Sequence, residues 1–129
     1  MLTIGEGNIS LSNFYNILLR EQKIEIKVNA YQDMQDCFDF LKDISSKKVV
    51  YGINTGLGPM AQYKIENLEQ LKLQYNLIRS HASGSGSPLS PLQVKSAMVC
   101  RFNTLIQAKS GVHPDAVAVL QTLINENIT

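Results

Sequence analysis

Val49-Val50-Tyr51-Gly52-Ile53-Asn54-Thr55-Gly56-Leu57-Gly58 is the stretch around which the rest of the chain is read. A short apolar run enters it, and three glycines fall within seven positions. Glycine makes left-handed backbone and close approach cheap, so the pattern predicts a strand over Lys48 to Tyr51 opening into a shaped loop. Loops anchored on a rigid element often carry function, and a tyrosine at the mouth of one has a polar tip that a ligand can reach. On the residues alone Tyr51 stays open between two roles, a core aromatic at a strand end or a reactive phenol.

Working outward toward the N-terminus, Ser45-Ser46-Lys47-Lys48 ends a helix that Asn29 is placed to cap. Tyr31, Met34, Cys37, Phe38, Leu41 and Ile44 form its apolar stripe. Asp33, Asp36, Asp39 and Asp43 lie off that stripe and read as a solvated face rather than a cation site. Before it, Lys23-Ile24-Glu25-Ile26-Lys27-Val28 alternates with period two, the clearest strand pattern in the chain. Ser12 can cap a short helix carrying Phe14, Ile17 and Leu18, and Leu2 to Leu11 holds a short strand, an arm of a hairpin turned at Gly5-Glu6-Gly7-Asn8.

Toward the C-terminus, Pro59 predicts an extended exit from the loop. Glu66 to Arg79 is helical, with Leu68, Leu71, Tyr75 and Ile78 on one face and Leu73 and Leu77 on a second, so it calls for cover on two sides. Ser80-His81 falls at its end, before the small residues Ala82 to Ser87. Ser90-Pro91 opens a helix running to about Lys109 through Val94, Met98, Phe102 and Leu105. Pro114 starts another, with Val117, Leu120 and Ile124 on one side and Val119 and Leu123 on another. No glycine caps it near Thr129, so it reads as cut rather than finished. The fold class is mainly α, with short β-strands near the N-terminus.

At 129 residues the chain fits one domain or a piece of one. Only 18% of residues are charged, which suggests that a partner or further sequence covers much of its surface. The net charge is +1 and the basic residues are scattered, which excludes a nucleic-acid binder. Cys37 and Cys100 sit far apart in apolar helical patterns and read as buried free thiols. Neither they nor His81 and His113 have metal-ligand spacing. A basic start leading into an apolar run is missing and no segment reaches membrane-spanning length, so the chain reads as cytoplasmic.

Tyr51 to Gly58 joins an ordered series: Leu73-Gln74, Asn76-Leu77, Ser80-His81-Ala82, Gly84, Gly86, Pro88-Leu89, Arg101, Asn103-Thr104-Leu105 and Ser110-Gly111-Val112. Together these resemble the start of the histidine/phenylalanine ammonia-lyase family, densely from Val50 to Pro114. The resemblance implies a single segment over 1–129, the N-terminal part of an ammonia-lyase/fumarase-aspartase-like helical fold, truncated from a longer chain. It implies a homotetrameric enzyme with a small amino acid substrate, and no nucleic-acid or membrane partner.

Eliminating ammonia from an α-amino acid breaks a weakly acidic C–H bond at the β-carbon, so a base needs help from an electrophile. In the family that electrophile is a methylidene-imidazolone made from an internal Ala-Ser-Gly, and the counterpart of Tyr51 is the base. A free phenol titrates near pH 10 or so, hence the role asks for an environment that favours phenolate. Asn54, Thr55, Gly56 and Gly58 fall in the family's active-site loop, the two glycines serving a mobile lid.

His81, with Ser80, matches the position tied to substrate choice. Ser-His there marks histidine lyases, because an imidazole can exchange hydrogen bonds with a substrate imidazole where leucine offers only packing. Read without the resemblance, His81 is a helix-end histidine bonded to unpaired carbonyls. Ala82-Ser83-Gly84 has the composition of the cofactor-forming triplet but aligns with the small-residue loop after the histidine, so no methylidene-imidazolone is expected within 1–129. Leu57 stands where the family usually has phenylalanine. That leaves a tyrosine or phenylalanine lyase or aminomutase open, beside a non-catalytic remnant that binds a partner through its helical faces.

Overall fold

The computed structural model describes residues 1–65 and 67–129; Glu66 and the side chains of Asn67 and Leu68 lie outside the described residues. The elements are β1 (Leu2–Ile4), α1 (Leu11–Leu19), β2 (Ile24–Ile26), α2 (Val28–Lys47), α3 (Asn67–His81), α4 (Pro91–Leu105) and α5 (Pro114–Asn125), with a short 3₁₀ turn over Gly58–Met60. The chain packs as two compact units, one made of 1–41 with 88–129 and the other of 42–87; the division falls within α2.

The first unit holds the apolar core. Ile4, Ile17, Ile24, Met34, Val99, Phe102, Val117 and Ile124 pack together there, so both strands and α1, α2, α4 and α5 each contribute. β1 and β2 pair in parallel, Leu2 opposite Ile24 and Ile4 opposite Ile26, with α1 as the crossover. This replaces the expected hairpin: Gly5 to Asn8 turns the chain into a helix, not back on itself. The outer edge of β2 is closed by amide side chains from α5. Asn125 accepts from Ile24 N–H and donates to Ile24 C=O, both at 2.8 Å, and Gln121 accepts from Ile26 N–H at 3.2 Å. A two-stranded sheet would otherwise leave those groups unpaired.

Helix boundaries follow local chemistry, in places one step away from the expectation. Ser10, not Ser12, caps α1, its hydroxyl accepting from Asn13 N–H. Asn29 lies inside α2, because Lys27 ends the strand with a bond to Ile4 C=O and its own carbonyl accepts Tyr31 N–H. Val28 is therefore helical rather than the last strand residue. Ala30 and Met34 carry the buried part of α2, while Tyr31 is exposed and the four aspartates all face water. α4 opens on a full capping box, Ser90 with Gln93, and stops at Leu105 rather than Lys109, where Ala108 takes a left-handed conformation.

α5 is capped by the His113 Nδ1, which accepts from Asp115 N–H at 3.2 Å. Its far end is finished, contrary to the sequence reading. Asn127 sits at φ 53°, Ile128 N–H reaches Leu123 C=O and Asn127 N–H reaches Ile124 C=O, which together form a Schellman motif. Asparagine tolerates the left-handed region and takes the place of the absent glycine. Both cysteines are free, but Cys100 is exposed and Cys37 half-buried, so neither is the buried thiol expected.

Candidate functional site

The second unit carries the loop and the histidine that the sequence singled out. No strand leads into the loop. Among the described residues Val49 and Val50 pair with no strand, and α2 ends at Lys47, with Lys48 to Val50 leading irregularly into turns over Tyr51 to Ile53. Asn54 ties this passage together. Its Nδ2 donates to Ser45 C=O at 2.6 Å and Lys48 C=O at 2.8 Å, satisfying carbonyls at the helix end, and its Oδ1 accepts from Val50 N–H at 2.8 Å.

Thr55 continues the network. Its hydroxyl accepts from Gly52 N–H at 3.2 Å and donates to Gly56 C=O at 2.9 Å, and its backbone pairs in a single antiparallel bridge with Lys64. Ile65 N–H bonds Asn54 C=O and Gly56 N–H bonds Tyr63 C=O, closing the loop at its base. Asn54 and Thr55 are 2% and 0% exposed, the buried polar groups of this unit among the described residues.

Two glycines are required by geometry. A Cβ on Gly56 would lie 2.6 Å from Met60 C=O, so the backbones can approach only without a side chain. Gly58 sits at φ 55° and begins the 3₁₀ turn, with Pro59 inside it. The extended exit expected after the loop is therefore a tight turn instead: proline's fixed φ suits a first helical turn, where its missing N–H costs nothing. Tyr51 stands at the loop's mouth, 64% exposed, and its phenol oxygen accepts from Gly58 N–H at 3.4 Å. It is not a core aromatic.

Ser80 and His81 end α3. His81 Nδ1 lies 2.9 Å from Leu77 C=O and 3.0 Å from Ser80 Oγ, and Ser80 Oγ donates to Leu77 C=O at 3.0 Å. A carbonyl only accepts, so a hydrogen bond from the ring to Leu77 C=O requires the neutral tautomer with its proton on Nδ1. Nε2 is then an acceptor on an exposed side chain. The helix-end contact and an available nitrogen coexist in one residue. Among the described residues no hydrogen bond or ion pair joins Ser80 or His81 to the 51–58 loop.

Ala82-Ser83-Gly84 lies exposed beyond α3. Ala82 N–H bonds Ile78 C=O, Ser83 N–H bonds His81 C=O, and a Cβ on Gly84 would meet nothing within 4 Å. Among the described residues no cluster of His, Cys, Asp or Glu is placed to hold a metal ion. Among them also no helix is long and apolar enough to cross a membrane.

The polar network around Asn54 was the part of the site that residue patterns did not reveal. The one available signal was an Asn-Thr pair between glycines just past a helix end, a sequence that favours side chain-to-backbone bonds.

The helical fold and the 51–58 loop define a class that the comparisons identify. Residues 9–129 match the family model described as aromatic amino acid lyase. The chain belongs to the aromatic amino acid lyase family. A probable histidine ammonia-lyase of Thermoplasma volcanium is 35% identical over 99% of the chain, and a histidine ammonia-lyase of Salmonella typhimurium is 31% identical over 98%. The chain spans about a quarter of the length of these relatives, 26% and 25% respectively. Among solved structures, a tyrosine aminomutase from Streptomyces globisporus superposes on 99% of the chain with a TM-score of 0.91 at 22% identity, covering 24% of that protein. A histidine ammonia-lyase from Trypanosoma cruzi gives 0.81 at 25% identity over 96% of the chain, again 24% of the other.

Proposed function

We propose that residues 1–129 are the base-carrying, N-terminal part of an ammonia-lyase that converts L-histidine to urocanate and ammonia. The observation that carries this reading is the Tyr51 phenol, exposed on the glycine loop of a chain in this family, with its oxygen turned to a backbone N–H. In this role Tyr51, as phenolate, takes the β-proton. The C–H pair becomes the Cα–Cβ double bond, ammonia leaves, and the phenol returns its proton to water. His81 contacts the substrate ring through Nε2, and Ser80 supports it by sharing the Leu77 carbonyl.

The methylidene-imidazolone of the family supplies electron withdrawal when present; in this reading it is made by residues outside 1–129, and the enzyme works in the cytoplasm as a homo-oligomer. Relatives named histidine ammonia-lyase, together with Ser80-His81, favour L-histidine over L-tyrosine or L-phenylalanine.

The test is turnover by the complete protein carrying this segment. L-histidine should give urocanate, L-tyrosine and L-phenylalanine little product, and Tyr51→Phe should lower kcat by about a hundredfold or more, the scale of a lost proton-transfer group. Residues 1–129 alone should be inactive. Sustained turnover by the isolated segment, or full activity of Tyr51→Phe, overturns the reading.

A further inference from the structure

We propose that Asn54 and Thr55 are positioning residues for Tyr51, Thr55 fixing the Tyr51–Gly52 peptide and Asn54 the Val49–Val50 peptide one residue upstream, and so setting the direction of its phenol. The inference rests on the reading of Tyr51 as the base. Tyr51 is held by little of its own: its side chain is mostly in water, and among the described residues the hydrogen bond of its phenol is to Gly58 N–H. Its direction therefore comes from the backbone. That backbone is clamped on both sides, Val50 N–H by Asn54 Oδ1 and Gly52 N–H by Thr55 Oγ1.

Asn54 and Thr55 are buried and their bonds to Val50 and Gly52 half-buried, while the tyrosine between is exposed. A half-buried N–H that loses its acceptor is not fully compensated by water, so rotation of either peptide is opposed. Asn54 also serves the end of α2, and helix termination alone would explain it. Thr55 does not. Among the described residues its side-chain bonds go to Gly52 and Gly56, within the loop that carries the phenol. Its hydroxyl reaches Gly56 C=O, two residues from the N–H that Tyr51 uses, so one side chain couples both ends of the Tyr51–Gly58 contact.

The decisive variants are Thr55→Val, which keeps the shape and removes the hydroxyl, and Thr55→Ser, which restores it. In the complete protein Thr55→Val should lower kcat for L-histidine by about ten- to a hundredfold while KM stays within about twofold. Thr55→Ser should recover most of the loss. In a Tyr51→Phe background Thr55→Val should cost nothing further, because the group it positions is gone. A second readout is independent of turnover: in protein labelled with 3-fluorotyrosine, the Tyr51 fluorine resonance, assigned by its absence in Tyr51→Phe, should shift or broaden in Thr55→Val and return in Thr55→Ser.

An unmoved resonance with a lowered melting temperature makes Thr55 a structural fastener and overturns the proposal, as does an additive loss in the Tyr51→Phe background. If Tyr51→Phe itself leaves kcat intact, the base reading has failed. The fluorine resonance then decides positioning alone, its movement supporting the clamp and its constancy overturning it.

Discussion

His81 shows how one side chain can satisfy a structural need and keep a functional group free. Its Nδ1 bond to Leu77 C=O is what any helix-end histidine does, and the sequence allowed that reading. In the proposed role that bond holds the proton on Nδ1 and leaves Nε2 as the acceptor for a substrate N–H. Replacing His81 by leucine should cut kcat/KM for L-histidine by about a hundredfold or more in the complete protein, since a pocket that pairs a polar group discriminates strongly once that group is removed. The exposed helix end should lose less than about 1 kcal/mol. Unchanged selectivity in a panel of histidine, tyrosine and phenylalanine would return His81 to a purely structural role.

Two exposed residues should shape the pH dependence of stability, in opposite directions. Tyr31 donates to Asp115 Oδ1 at 2.9 Å, and this bond, with some burial and the carboxylate's charge, raises the phenol's pKa above its ordinary value. The bond needs the protonated phenol, so its contribution is complete below the unfolded pKa of about 10 and is lost as pH rises through the raised one. Glu6 is the converse: its hydrogen bond to Lys27, and then the lysine's charge, hold its carboxyl below the ordinary value. That contribution is present above the unfolded pKa and lost as pH falls through the lowered one. Tyr31→Phe should flatten only the alkaline limb of a stability–pH curve and Glu6→Gln only the acid limb, each slightly because solvent screens both groups.

At the scale of elements, helices were legible where one short motif decides them and misplaced where a distant partner does. Ser90-Pro91 announced α4 because both capping-box residues lie within one turn. Lys48 to Tyr51 was misread as a strand because β-branched valines mimic one, while a strand exists only if another pairs with it. The parallel pairing of β1 with β2 sets Leu2 opposite Ile24, and its closure by Asn125 and Gln121 from α5 joins residues 101 and 95 positions apart, which no local pattern relates.

The end of α5 sets two effects against each other. Asn127 provides the left-handed turn and also gives its Oδ1 to the Lys95 ammonium, a lysine only 7% exposed. Glycine is the preferred residue for the turn, worth a few tenths of a kcal/mol there, but it leaves a buried cation without this acceptor, and hydrogen bonds to charged groups contribute about 1.5–3 kcal/mol. Loss of the acceptor should therefore outweigh the easier turn. Asn127→Gly should destabilise by about 1 kcal/mol or more in urea unfolding, and Asn127→Val by more still because it adds left-handed strain. A stabilising Asn127→Gly would show that the Lys95 contact contributes nothing.

For the molecule as a whole, the family was readable from ordered matches between Val50 and Pro114, but the distribution of its core was not. Among the described residues, every member of the apolar core belongs to the unit made of 1–41 and 88–129. The unit of 42–87, which carries Tyr51 and His81, is held by the Asn54–Thr55 network, and α3 leaves Leu71, Tyr75 and Ile78 more than half exposed. The two-sided apolar pattern of α3 thus calls for cover that these residues do not supply.

Opening free energy follows buried apolar contact, so amides in the two units should exchange on separate scales. In isolated 1–129, amides of α4 and β2 should exchange at least about a hundredfold more slowly than those of α3. Ile17→Val, costing about 0.5–1.5 kcal/mol in the core, should speed the first group and leave α3 unchanged. If the proposed function holds and further sequence covers α3, its amides in the complete protein should slow toward the α4 rates. Equal protection of α3 and α4 in the isolated segment would mean that 42–87 is stable without cover, and the need for further sequence around Tyr51 and His81 would lose its physical basis.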